Sequence, residues 1–220
     1  MLNLTSASPA TMFASILIFL VVIGFVISLH EAAHAFAANR LGDPTARLLG
    51  RMSLNPAAHI DPVGTVLVPL VLLILSIRTG SFFLFGWAKP TPINPFNFQH
   101  PRRDTAIVAF AGPASNFSLA ILLSLIFRLI PSSLVSSILL TVIVLNLILG
   151  IFNLIPIPPL DGSKILAGFL PKEAAASFSA LESYGPVLLL VLIFILLPIL
   201  SPTISTILSF FLRVFAGVTI

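Results

Sequence analysis

The residues best suited to chemistry are His30-Glu31-Ala32-Ala33-His34. Two histidines four positions apart share one face of a helix. Both imidazoles can therefore reach a single Zn²⁺ at about 2.0–2.1 Å. Glu31 is turned roughly 100° from His30 around the helix, beside such an ion and outside its coordination. From there it can take a proton from metal-activated water, the role this spacing serves in zinc hydrolases. A short polar cap where an apolar helix meets water would accommodate one histidine. It does not account for three ionisable groups within an apolar helix, where such groups are costly and as a rule functional.

A catalytic zinc needs a third protein ligand and an open position for water. With no cysteine in the chain, thiolate sites and disulfides are excluded and the ligand must be His, Asp or Glu. The candidates are His59, Asp61, His100, Asp104 and Asp161, with Asp43 disfavoured beside the helix-ending Pro44. Asp161 is the best placed. It closes the run Asn153-Leu-Ile-Pro-Ile-Pro-Pro-Leu-Asp161-Gly162, where Pro156, Pro158 and Pro159 must unwind the backbone. Irregular backbone inside a membrane is tolerated only where protein or a water-filled cavity satisfies it. The plainer alternative makes Asp161 the N-cap of a helix starting near Gly162. His59 and Asp61, in Asn55-Pro-Ala-Ala-His-Ile-Asp61 ahead of Pro62, read as a polar turn. His100, beside Pro101 and two arginines, reads as interfacial.

The elements that must position these groups are membrane helices. Of the 220 residues, 58% are hydrophobic and 8% charged, against about 25% charged in soluble domains. Apolar runs recur at Phe13–Asn39, Val63–Ile77, Thr105–Ile130, Leu134–Phe152, Tyr184–Leu197 and Ile204–Val218, and about 20 residues cross a bilayer. The expectation is an all-α polytopic membrane protein with about six transmembrane segments. It forms one domain over residues 1–220, with a catalytic core at about 13–170 and a C-terminal helical hairpin at about 184–218. Phe13–Leu29 lacks a basic front end and a small-residue cleavage site, so it reads as a retained span. The net charge of +4 comes from basic residues scattered near span ends. That pattern fits membrane orientation and not nucleic-acid binding. Between the second and third runs, Phe82–Pro95 reads as a re-entrant, extended (β-like) segment, because Pro90 and Pro92 forbid a helix.

The pairing of His30-Glu-Ala-Ala-His34 with Asn153-Leu-Ile-Pro-Ile-Pro-Pro-Leu-Asp161-Gly162 closely resembles the site-2 protease family of intramembrane zinc metalloproteases. Ala111-Gly112-Pro113-Ala114-Ser115-Asn116 and Gly86-Trp87-Ala88-Lys89-Pro90 add to the resemblance, which extends over about Val21 to Leu170. It implies one Zn²⁺ per chain held by His30, His34 and Asp161, with Glu31 as the base and Asn116 and Asn153 lining the substrate cleft. The partner it implies is a transmembrane segment of a membrane-protein substrate, cleaved in or near the bilayer. Within that family the expectation is a compact form, without a PDZ or CBS domain. For the two asparagines, ordinary hydrogen bonding between helices is the alternative.

Two rivals belong to other classes. A metal transporter would show paired sites or inverted repeats, and the sequence shows neither. A catalytically silent protein that binds membrane segments would have no need of Glu31.

Direction of travel adds a constraint. His34 lies near the end of one span and Asp161 just past the end of another, so these two spans must run the same way. An odd number of crossings must separate them, which is met if Val63–Ile77 goes out and Phe82–Pro95 returns. Arg40, Arg47, Arg51, Arg102, Arg103, Lys164 and Lys172 then lie on one side, as the positive-inside rule asks of the cytoplasm. The expected location is a prokaryotic plasma membrane, with the site toward its cytoplasmic half. The segment around Trp87, Lys89 and Pro90 is a candidate edge for pairing with an unwound substrate, or else a connector anchored by Trp87 at the interface.

Overall fold

The computed structural model describes residues 9–68, 71, 86–131, 134–185, 188 and 191–218. Seven helices organise them: α1 Pro9–Arg40, α2 Thr45–Leu48, α3 Pro101–Phe127, α4 Leu134–Asn153, α5 Asp161–Phe169, α6 Lys172–Ala180 and α7 Leu192–Ala216. No strand occurs among the described residues. Four helices are long and apolar enough to cross a membrane: α1 over Leu17–Arg40, α3, α4 and α7. Leu20, Val21 and Phe25 on α1, Leu122 and Leu125 on α3, and Phe194, Ile199 and Phe210 on α7 are exposed. Lipid, unlike water, accepts such faces without cost.

Contacts between side chains set the directions. His30 meets Asn116 and His34 meets Val108, so α1 and α3 are antiparallel. Asn116 meets Asn146, and Phe117 lies against Gly150. α4 begins beyond the end of α3 and leads to Asp161 beside His30, so it runs parallel to α1. Ala120, Ile143, Leu147, Ile151, Leu208, Leu212 and Ala216 form a shared core of α3, α4 and α7.

The expected six spans reduce to four among the described residues. The expected hairpin at 184–218 is replaced there by one uninterrupted helix, α7, running through Pro198 and Pro202. Prolines end helices in water but are tolerated in membrane helices, where freed backbone groups are satisfied locally. Ser201 Oγ, Ser205 Oγ and Thr206 Oγ1 donate to the carbonyls of Pro198 and Pro202.

Most of the expected span Val63–Ile77 lies outside the described residues, as do Phe82–Phe85 of the expected re-entrant segment. What precedes and follows that stretch is held together. The Trp87 amide donates to the Gly64 carbonyl at 3.1 Å, and Thr65 Oγ1 donates to the Trp87 carbonyl at 2.9 Å. The chain leaves and re-enters the described structure at one place. A single described crossing, α3, therefore separates α1 from α4, in keeping with the odd number the site requires. Residues 86–94 form neither helix nor strand and pass the C-terminal half of α1, where Thr91 meets Glu31.

Candidate metal centre

His30 and His34 project from one face of α1 with ring centroids 4.6 Å apart and planes at 86°. Asp161 arrives from the other end of the chain. After Asn153 the backbone unwinds through Leu154–Leu160 and re-forms as α5, with Asp161 as its first residue. Of the two sequence readings of Asp161, the capping one is not observed. Leu160 is the N-cap and receives no side-chain capping bond. Ser163 Oγ donates to the Leu160 carbonyl at 2.6 Å, and the Asp161 carboxylate turns to the histidines. Gly162 permits the junction, since a Cβ there would lie 2.3 Å from the Leu154 carbonyl oxygen.

The three donor atoms converge. Asp161 Oδ2 is 3.1 Å from His30 Nε2 and 3.2 Å from His34 Nε2, and the two Nε2 atoms are 3.0 Å apart. All three residues are buried. A tetrahedral ion at about 2.0–2.1 Å from each donor would hold them roughly 3.3 Å apart, so the triangle fits such an ion with little adjustment. This is the one group of its kind among the described residues. The chemistry of the donors agrees. His34 Nδ1 lies 2.7 Å from the Val108 carbonyl, which accepts only, so Nδ1 carries the hydrogen and Nε2 keeps its lone pair. His30 Nδ1 lies 2.6 Å from Asn116 Oδ1 and is fixed in the same sense. Two bare imidazole nitrogens and a carboxylate oxygen thus face one point.

Glu31 is half-buried beside this triangle. Its Oε2 accepts the Thr91 amide at 2.8 Å, and its backbone carbonyl accepts Thr91 Oγ1 at 3.1 Å. Thr91 is held in turn by its neighbours. The Lys89 amide donates to the His59 carbonyl at 2.9 Å, and Arg51 Nη2 donates to the Lys89 carbonyl at 2.7 Å. Asp43, fully buried, accepts the Asn94 amide and Asn97 Nδ2, each at 2.7 Å.

The remaining residues singled out from sequence are placed as follows. Asn116 is fully buried, its oxygen on His30 and its Nδ2 donating to Asn146 Oδ1 at 2.9 Å. Asn153 is half-buried and donates to the Leu149 carbonyl of its own helix at 3.1 Å. Trp87, Lys89 and Pro90 are exposed on the segment at residues 86–94. His59 Nε2 donates to the Ser53 carbonyl and Asp61 caps the turn at Val63 and Gly64, so both serve the polar turn. The Asp104 carboxylate accepts the His100 amide at the start of α3.

Sequence reasoning did not single out Thr91, Gly112 or Asn146 for a role of its own. Gly112 faces the site: a Cβ there would lie 2.4 Å from His34 Nε2 and 2.7 Å from His30 Cε1. Its place within Ala111-Gly112-Pro113, on a helix where glycine is otherwise unfavourable, was the available signal.

A family model for peptidase family M50 matches residues 128–197, which include Asn153 to Asp161 but not His30. A Bacillus subtilis protein named "Putative zinc metalloprotease YwhC" is 38% identical over 183 residues, covering 78% of each chain. The chain belongs to peptidase family M50. This is the site-2 protease family that its motifs resemble. Further relatives are the proteins named "Putative zinc metalloprotease Rip2" of Mycobacterium tuberculosis and Mycolicibacterium smegmatis. Each is 30% identical over 182 residues, covering 79% of this chain and 66% of its own. No solved structure matches this M50 chain.

Proposed function

We propose that the protein is an intramembrane zinc-dependent endopeptidase that cleaves peptide bonds in or near transmembrane segments of membrane proteins. The observation that carries this is the convergence of His30 Nε2, His34 Nε2 and Asp161 Oδ2 within a bundle of apolar helices, with Glu31 beside them. Membership of a peptidase family, and the names of its relatives, support the same reading.

In this reading His30, His34 and Asp161 hold one zinc ion. Bound there, the ion supplies Lewis acidity to a water and to the scissile carbonyl. Glu31 takes the water proton and delivers it to the leaving amine. The Thr91 amide on Oε2 orients the carboxylate, so that Oε1 is available for the proton. Asp161 is placed by the proline break, and α5 carries it without competing for its oxygens. Val108 and Asn116 hold the imidazoles with their lone pairs inward.

The substrate is a transmembrane segment, unwound locally so that one amide becomes accessible. The extended stretch through Trp87, Lys89 and Pro90 supports this role, since it is exposed and anchored within reach of Glu31. Asn153 is proposed to face the substrate from the start of the proline break. Asn116 belongs with His30, because both ends of its side chain are already engaged.

Orientation follows from charge. Arg40, Arg47, Arg51, Lys89, Arg102, Arg103, Lys164 and Lys172 cluster at the metal-site end of the helices, whereas Arg128 and Arg213 lie at the opposite end. The positive-inside rule then puts the site toward the cytoplasmic half of a plasma membrane.

The test compares wild type with Glu31→Gln after purification in detergent and reconstitution with a transmembrane peptide. Zinc near one per chain in both, with cleavage by wild type alone, is expected. Zinc-free wild-type protein would overturn the site, and cleavage by Glu31→Gln would remove Glu31 from its role.

A further inference from the structure

Asn146, midway along α4, touches neither the donor triangle nor Glu31, yet hydrogen bonds link it to the metal site. Its Nδ2 lies 2.8 Å from the Val142 carbonyl of its own helix. A carbonyl can only accept, so the amide nitrogen must point there and Oδ1 must point away. That oxygen requires a donor, and Asn116 Nδ2 supplies it at 2.9 Å. Asn116 is thereby denied its flipped orientation, and its own oxygen is committed to His30 Nδ1 at 2.6 Å. His30 must carry its hydrogen on Nδ1 and leave Nε2 bare. Both asparagines are fully buried.

The relay opposes a specific competitor. Without the metal, Asp161 Oδ2 at 3.1 Å and His34 Nε2 at 3.0 Å are both acceptors facing His30 Nε2. They favour a hydrogen on Nε2, the tautomer that cannot bind an ion. If Asn116 were free to flip, its amide nitrogen would face Nδ1 and favour that same wrong tautomer. We infer that Asn146 is a positioning residue that holds His30 in its metal-binding tautomer through Asn116, presetting the site before the ion arrives. A bond between helices needs only the Asn116–Asn146 contact. It does not need the polarity of that contact to be set by Val142 and to end on His30.

This rests on His30 being a metal ligand, but one of its two readouts does not depend on metal. The first is the tautomer of His30 in metal-free protein, read from its ring ¹⁵N shifts. The second is zinc affinity by competition with a chromophoric chelator. Asn146→Leu keeps the volume and removes both hydrogen bonds. It is expected to shift His30 toward the Nε2–H form and to weaken zinc by about 10–100-fold. Asn146→Asp keeps an acceptor oxygen for Asn116 in either protonation state, and is expected to restore the Nδ1–H form and an affinity within about threefold of wild type. If the Leu variant does not fold, Asn146→Ala replaces it in both measurements. Wild-type tautomer and affinity in the Leu or Ala variant would overturn the inference. So would an Asp variant as impaired as Leu. Wild-type protein that binds no zinc would sink the metal site itself, and the tautomer comparison would then decide the relay alone.

Discussion

Glu31 and Thr91 are joined twice, once from the Thr91 amide to the carboxylate at 2.8 Å and once from its hydroxyl to the Glu31 carbonyl at 3.1 Å. A residue 60 positions away in sequence therefore sets the angle of the proposed base. The segment that carries Thr91 is thereby tied to the helix that carries His30 and His34.

Replacing Thr91 separates the two contacts. Thr91→Pro deletes the amide that holds the carboxylate, and peptide cleavage should fall about tenfold or more while zinc stays bound. Thr91→Ala loses only the hydroxyl and should remain within about threefold of wild type. Equal turnover in the Pro variant and wild type would show that Glu31 needs no such guide.

Gly112→Ala adds one methyl group against the histidine rings, 2.4 Å from His34 Nε2. Alanine favours a helix over glycine by about 1 kcal/mol, so α3 itself should be no less stable. Zinc content should nevertheless collapse, because the two imidazoles cannot both keep their places. A variant with wild-type zinc by metal analysis would contradict the packing described here.

Asp43 ties the end of α1 to the extended segment. Burial pushes its carboxyl upward, but the Thr45 hydroxyl, the Asn94 amide, Asn97 and the Thr45 amide outweigh this and hold it below the usual carboxylate range. A depressed acid stabilises the fold above its unfolded value, near pH 4, and that contribution fades as pH falls toward the folded value. Wild type should lose thermal stability below about pH 4, whereas Asp43→Asn should be less stable at neutral pH with a flatter acid limb. Parallel acid limbs for the two proteins would refute the assignment.

The cysteine-free chain suits single-thiol labelling. Cysteines introduced at Arg47 and Arg103 should react with an impermeant maleimide on the cytoplasmic face, and one at Leu129 on the opposite face. Labelling of positions 47 and 103 from different sides would contradict the antiparallel packing of α1 and α3.

How much of this was legible in the sequence depended on how local each signal is. His30, Glu31 and His34 are read directly, because their relation is a property of one helix. Asp161 needed a second step, from a proline-rich break to a displaced carboxylate, and the structure brings it to the two histidines. The expected break between Leu197 and Ile204 is absent among the described residues, where α7 runs through Pro198 and Pro202, prolines that membrane helices tolerate. Thr91 and Asn146 were invisible for a different reason. A backbone amide carries no side-chain signature, and an asparagine in an apolar helix looks the same whether it joins two helices or orients a histidine.

The contact between Thr65 and Trp87 has a further consequence, for how such a chain can vary over evolutionary time. Because the polypeptide departs and returns through one clasp, material inserted between the two positions need not move Arg51, Lys89 or Thr91. Length can therefore change between positions 65 and 87 while the donor triangle and the Thr91 contact to Glu31 stay as they are.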